Sequence, residues 1–159
     1  MFLAQLMLQG LPEAIPVNPI ARWVWVFPVV ESIHICGFTL LVGTVTMLDL
    51  RLVGLCFRHQ SVSQVAKNLA PWTNAGILIQ LITGSYLFSG DPGEYVQVAA
   101  FRSKMLLLVL ALIFHFTVIR RATAAGLDSS ALGWRRPAAF VSLGLWVSVL
   151  VAGLWIGNL

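Results

Sequence analysis

ESIHICGFTLLVGTVTMLDLRLVG, residues 31–54, decides the fold. It is an apolar run long enough to cross a bilayer, since about 20 residues span the hydrocarbon core. Inside it sits a histidine, His34, and near its end an acid and a base, Asp49 and Arg51. A second run, RSKMLLLVLALIFHFTVIRR at 102–121, repeats the pattern with His115. An ionisable side chain at membrane depth is costly and is retained where it has a partner or a task. Imidazole is also the side chain that haem iron and several membrane metal sites use most.

Composition agrees with those two runs. Of 159 residues, 58% are hydrophobic and only 10% charged, with a mean hydropathy of +0.88. Soluble domains carry about a quarter charged residues, so the class is integral membrane protein. The net charge of +4 does not form a polar basic face, which excludes nucleic acid as a partner. The lipid bilayer is the partner that the composition requires.

Four runs reach spanning length: about 27–55, 72–89, 101–119 and 137–156. Pro71 and the turn sequence GDPG bound the second, and Pro137 suits the first turn of the fourth. The expected architecture is all-α, an antiparallel four-helix membrane bundle over 27–159 preceded by a short interfacial segment over 1–26. The first ten residues are apolar without a basic start, and Pro12, Pro16 and Pro19 follow, so an interfacial helix is expected there rather than a cleaved signal. Arg51, Arg58 and Lys67 follow the first run, and Arg120, Arg121, Arg135 and Arg136 surround the third connection. The positive-inside rule then places those connections in the cytoplasm and both termini outside. Trp23, Trp25, Trp72, Trp134 and Trp155 fall near the ends, where aromatic anchors belong.

On the first helix His34 lies at helical spacing from Glu31, with Gly37 one turn away. A small residue there leaves room for a flat macrocycle or for a close helix. On the third helix Lys104 and His115 share one stripe. Lys104 suits a cofactor carboxylate, a ligand position, or snorkelling to the surface. His34 and His115 differ in depth by on the order of 10 Å at 1.5 Å per residue. Two arrangements follow: one haem with both histidines as axial ligands, or His34 with a partner among Tyr86, Lys104 and Met105 and His115 elsewhere. Thr83 and Gly84 lie on the second helix at roughly the depth of His34, where small residues let a ring or a helix approach. Asp49 and Arg51 read as a charge-compensating patch, with Arg51 free to anchor a propionate instead, and His59 reads as solvated. Cys36 and Cys56 are about 30 Å apart along the helix axis and do not pair. No nucleotide loop, nucleophile elbow, paired CxxC or HExxH occurs, which weighs against hydrolases.

His34, then Gly43 and LDLRLVG, followed by ITGSYLF and FRSKMLLLVLALIFH, resemble the superfamily of small membrane proteins that includes copper-resistance protein D and the HemJ-type protoporphyrinogen oxidases. The resemblance covers about residues 28–121, and ESIHICGFTLLVGTVTMLDLRL with PWTNAGILIQLITGSYLF looks like a bacterial branch of that group. It implies a haem b site with His34 as a ligand, and Lys104 and His115 in positions the group uses. The HemJ-type enzymes usually carry a lysine three residues before the first histidine, where this chain has Glu31. An acid there alters contact with a porphyrin carboxylate.

The expected function is therefore haem b binding for electron transfer, with His34 and His115 as metal ligands. Gly37 and Gly84 would border the ring, and Arg51 and Lys104 would meet its carboxylates. Electrons would be exchanged with a quinone or a redox complex, of which the chain is a subunit or in which it forms a homo- or hetero-oligomer. The competing expectations are a protoporphyrinogen-type oxidase, a copper transporter or sensor using His34, Cys36 and the sulfur of Met47 or Met105, and a non-catalytic structural subunit.

Overall fold

A computed structural model describes residues 25–124 and 129–156. The expected interfacial segment falls almost wholly outside them. Among the described residues the regular structure is all helix, with no strand. Helix α1 runs Val26–Val53, α2 Val62–Phe88, α3 Pro92–Gln97 and α4 Ala99–Phe114. A π-helical turn, His115–Ile119, leads from α4 into α5, Arg120–Ala124, and α6 spans Ser129–Ile156.

Local chemistry sets the boundaries. Gly54 closes α1 in the left-handed region at φ 94°. Its N–H bonds the Arg51 carbonyl and the Leu55 N–H bonds that of Leu50 at 2.9 Å, the paired closure that favours glycine at this position. Ser61 caps α2 by accepting the Gln64 N–H at 3.1 Å, and Asp91 caps α3 by accepting the Glu94 N–H at 3.0 Å with Pro92 in the first turn.

Two expected boundaries are corrected. The second helix begins at Val62 rather than 72, and the fourth at Ser129 rather than 137. Pro71 and Pro137 lie inside helices, not at their starts. Both prolines sit on exposed faces, where the carbonyl freed by the missing N–H is not buried. The GDPG turn also contains the start of a short helix.

Three helical stretches are long and apolar enough to cross a membrane: Val26–Val53, Ala99–Ile119 and Gly133–Trp155. Their outward faces carry exposed Ile35, Leu106, Ile113, Phe140 and Val147, as expected of surfaces that meet lipid. Helix α2, with Gln64, Lys67, Asn68, Asn74 and Gln80, is not among the three.

Helix α1 packs on both α2 and α6, and α4 packs on α6. The α1–α2 approach is closest at two glycines. A Cβ on Gly37 would collide with the Ile79 side chain, and one on Gly76 would lie 2.9 Å from Leu41 Cβ. Beside them Thr73 donates to Thr44 Oγ1 at 3.0 Å, and Thr44 donates to the Leu41 carbonyl at 2.9 Å. One buried cluster contains Leu41, Val45, Ala111, Trp146 and Val149. A second, toward the end bearing Arg51 and Arg120 (the basic end), contains Leu48, Leu52, Val65, Ile119, Ala138 and Ala139. At the opposite end the rings of Phe88, Tyr95 and Phe101 tie α2, α3 and α4 together, with Phe88 and Phe101 stacked at 5.5 Å.

Candidate functional site

The His34 ring is held from α2. Its Nδ1 lies 2.7 Å from Thr83 Oγ1, and the Thr83 hydroxyl donates to the Ile79 carbonyl at 2.6 Å. A hydroxyl has one proton to give. With that proton committed to Ile79, Thr83 accepts and His34 Nδ1–H donates. The imidazole then carries its lone pair on Nε2. Fixing one ring nitrogen through a hydrogen bond is how proteins set the tautomer and orientation of a ligating histidine.

The surroundings complete a half-buried niche. Gln80 donates its amide to the His34 carbonyl at 2.5 Å, clamping the α1 backbone to α2. A Cβ on Gly84 would stand 3.3 Å from His34 Cε1, so the absent side chain gives the ring its space. From α4, Lys104 is the one charge among the described residues that acts on His34, and its Cε and Nζ would each lie 3.5 Å from a Cβ on Gly153 of α6. The niche thus joins His34, Thr83, Gln80 and Gly84 from two helices, with Lys104 of a third, beside Gly153 of a fourth, within electrostatic reach.

His115 lies elsewhere. It begins the π-helical turn, is buried, and its Nδ1 has no hydrogen-bond partner. The Phe116 ring meets it edge-on at 5.5 Å, and the Arg120 guanidinium covers Phe116 at 5.2 Å. It lines a recess of about 320 Å³ between α2 and the α4–α5 segment, whose wall includes Leu48, Ala70, Thr73, Ile119 and Arg120. Leu48 lies fourteen residues beyond His34 on α1, about 20 Å along the helix at 1.5 Å per residue. The two histidines do not converge on one centre.

The other expected residues separate as well. Gly37 is buried against Ile79 and serves helix contact rather than an open notch. Arg51 donates through Nε and Nη2 to the Gln60 carbonyl at 3.0 and 2.6 Å, closing the loop after α1. It makes no pair with Asp49, which is fully buried with both carboxyl oxygens unbonded. Residues two apart on a helix point in different directions, so the expected patch does not form. Cys36, Met47 and Met105 are exposed on outward faces and do not face His34 as a soft-metal set. Among the described residues no three His, Cys, Asp or Glu side chains gather into a metal cage. The Tyr86 hydroxyl is buried without a partner, one turn past Thr83.

At the end of the bundle, outside the spans, Tyr95 has its phenol pushed up from 10.0, first by burial and then by the nearby carboxylates of Glu94, Glu31 and Asp91. Glu31 therefore belongs electrostatically to this acidic corner.

Thr83 and Gly84 were legible as small residues at the depth of His34, but the anchoring role of Thr83 and that of Gln80 were not. A glutamine and a threonine three residues apart on one stripe of α2, at the depth of the histidine on α1, are the signal that was available.

Residues 24–159 match the model of a family described as a family of unknown function, DUF6644. No curated protein and no solved structure matches the chain at a significant level.

Proposed function

We propose that this chain, which belongs to the DUF6644 family of unknown function, is a four-span membrane protein that binds haem b through His34 and passes electrons. In this reading α2 joins the three apolar helices as a fourth, antiparallel span. Its polar side chains are spent inside the bundle: Gln80 on the His34 carbonyl and Thr73 on Thr44. The basic end faces the cytoplasm by the positive-inside rule, in a bacterial inner membrane.

The observation that carries the reading is the His34–Thr83–Ile79 hydrogen-bond relay, which leaves Nε2 free to ligate. Three features suit a macrocycle. The donor is imidazole, the ring lies close against α2 because residue 84 is glycine, and Lys104 would supply a cation able to neutralise a propionate. Haem bound there would supply a one-electron couple, tuned by its axial ligand, hydrogen bonding and burial. The work of this chain's own residues is to orient: Thr83 holds the imidazole, Gln80 holds the backbone behind it, and Lys104 balances negative charge. His115 and Arg51 take no part. A quinone or a larger redox complex is the exchange partner this arrangement calls for.

The electrostatic reach of Lys104 to His34 also favours a second reading, an oxidase acting on a porphyrin-like substrate, in which Lys104 would hold a substrate carboxylate. Glu31 does not assist it, since its charge acts on Tyr95.

The test is the visible spectrum of the detergent-purified protein, air-oxidised and dithionite-reduced, with haem quantified as the pyridine haemochrome. Near-stoichiometric b-type haem that His34→Ala abolishes supports the proposal. A folded, haem-free protein from haem-replete cells overturns it. Turnover of protoporphyrinogen by that protein would select the second reading.

A further inference from the structure

The interior of the bundle contains a layer of polar groups with nothing to bond. On α1, Asp49 is fully buried and neither oxygen has a hydrogen-bond partner. On α6, Ser142 Oγ and Trp146 Nε1 are equally buried and unbonded, each residue 1% exposed. At the start of the π turn His115 is 8% exposed, with Nδ1 unbonded.

These residues share one level. Asp49 lies between Val45 of the central cluster and Leu52 of the basic-end cluster; Ser142 lies between Ala139 and Trp146, and His115 between Ala111 and Ile119. On all three elements the polar residue therefore interrupts the core where one apolar cluster gives way to the next. Ser142 is near enough to act on the Asp49 carboxyl, although the pair does not meet hydrogen-bond geometry. Buried polar groups are otherwise almost always paired, and a site of this polarity suits bridging water.

The charges around Asp49 do not compensate it. Arg51 is committed to the Gln60 carbonyl. On α6 Arg135 lies two turns nearer the basic end and has an interaction of its own. From α2 the ionisable neighbour is Lys67, and beyond His115 it is Arg120; both are exposed at the rim of the recess. Among the described residues no cation meets the carboxyl. An isolated carboxylate in such surroundings is strongly disfavoured against the neutral acid. The donor set also opposes a bound metal cation. Sodium-like or calcium-like ions need about six oxygen ligands, whereas this layer offers two carboxyl oxygens and one hydroxyl beside an indole N–H.

We propose that Asp49, with Ser142 and Trp146, forms a buried proton-binding site in the half of the bundle nearer the basic end. One proton from water at that end adds to a carboxylate oxygen of Asp49, giving the neutral acid, and leaves by the same bond breaking. Ser142 Oγ accepts from the acid O–H and Trp146 Nε1–H donates toward the second oxygen, each through bridging water. His115, which closes the layer and lines the recess, is the group through which the site approaches solvent. The site stands independently of haem binding at His34.

Infrared spectroscopy of the full-length protein in lipid nanodiscs tests this, on haem-free as well as haem-loaded samples. At neutral pH the wild type should show a protonated carboxylic-acid C=O band that shifts in D2O and is lost in Asp49→Asn. Ser142→Ala should move that band, because the acid loses its hydroxyl neighbour. Identical spectra for wild type and folded Asp49→Asn overturn the proposal, and so does a band that Ser142→Ala leaves in place. Should Asp49→Asn fail to fold, wild type grown with 13C-carboxyl aspartate replaces it. An acid band that shifts with the label supports the site, and the absence of a labelled acid band overturns it.

Discussion

The two ends of the bundle each hold a histidine in an apolar helix, and they treat it in opposite ways. At the acidic end His34 is half-buried, its Nδ1–H is given to Thr83, and a glycine lets its ring lie against α2. Toward the basic end His115 is buried against Phe116, and its Nδ1 has no partner. Residue type and membrane depth alone do not separate these roles. Anchoring does: a ring fixed through one nitrogen presents the other, whereas an unanchored buried ring has no set tautomer.

The largest expected effect breaks that comparison if it fails. His34→Ala should reduce bound haem to background, whereas His115→Ala should leave the haem content within about twofold of wild type, measured as pyridine haemochrome per polypeptide. Equal loss in both variants would restore the arrangement with two histidine ligands and require the helices to move by far more than their packing allows.

Thr83→Val comes next. It keeps the shape of the side chain but removes the oxygen that accepts from Nδ1–H. Loss of such a supporting partner typically costs about 10–100-fold in affinity, read here as haem retention during dilution. The reduction potential should shift as well, since hydrogen bonding to the ligand tunes it. An unchanged affinity and potential would mean that Thr83 does not orient the ligand.

The α1–α2 contact on which the niche rests can be tested apart from any cofactor. A Cβ at Gly76 would lie 2.9 to 3.0 Å from Leu41 Cβ, Cα and N. Those are largely backbone atoms with no room to yield, so Gly76→Ala should cost about 1–3 kcal/mol through overpacking. At Gly43, where nothing lies within 4 Å, the same substitution should stabilise by about 0.5–1 kcal/mol, the usual helix preference for alanine. Thermal unfolding in one detergent measures both, and the opposite signs are the prediction.

Much of this was legible in the sequence, for physical reasons that differ by element. The length and apolarity of residues 26–53 and 99–119 leave little but a membrane helix. Helix α2 was harder. Pro71 looked like its start, yet Ser61 with Gln64 forms the capping pattern that sets the true N-terminus, and one exposed proline is tolerated downstream. The site divides along the same line. His34 and its glycine neighbour are local features of a periodic pattern, whereas the burial of Asp49 depends on which face α6 covers. Sequence adjacency suggested Arg51 as its partner, but a helix turns the two apart, and Arg51 bonds Gln60 instead.

The smallest expected effect concerns the acidic corner. Tyr95 is partly buried, and three carboxylates oppose its ionisation, so its phenol titrates above 10.0. The sign follows from proton linkage: a group whose folded value is raised stabilises the native corner below its unfolded value, and that contribution is lost as pH climbs through the folded one. The Phe88–Tyr95–Phe101 cluster should therefore loosen only in strong alkali. Tyrosinate absorbance against pH measures the titration, with Tyr95→Phe identifying its share of the signal. Glu94→Gln should bring the midpoint down toward 10.0, and Glu31→Gln should do so by less, following the order of their influence. A shift on Glu31→Gln would place residue 31 in the electrostatics of this corner. No shift would release it to face the His34 niche, where an acid beside Lys104 would change the charge seen by any bound carboxylate.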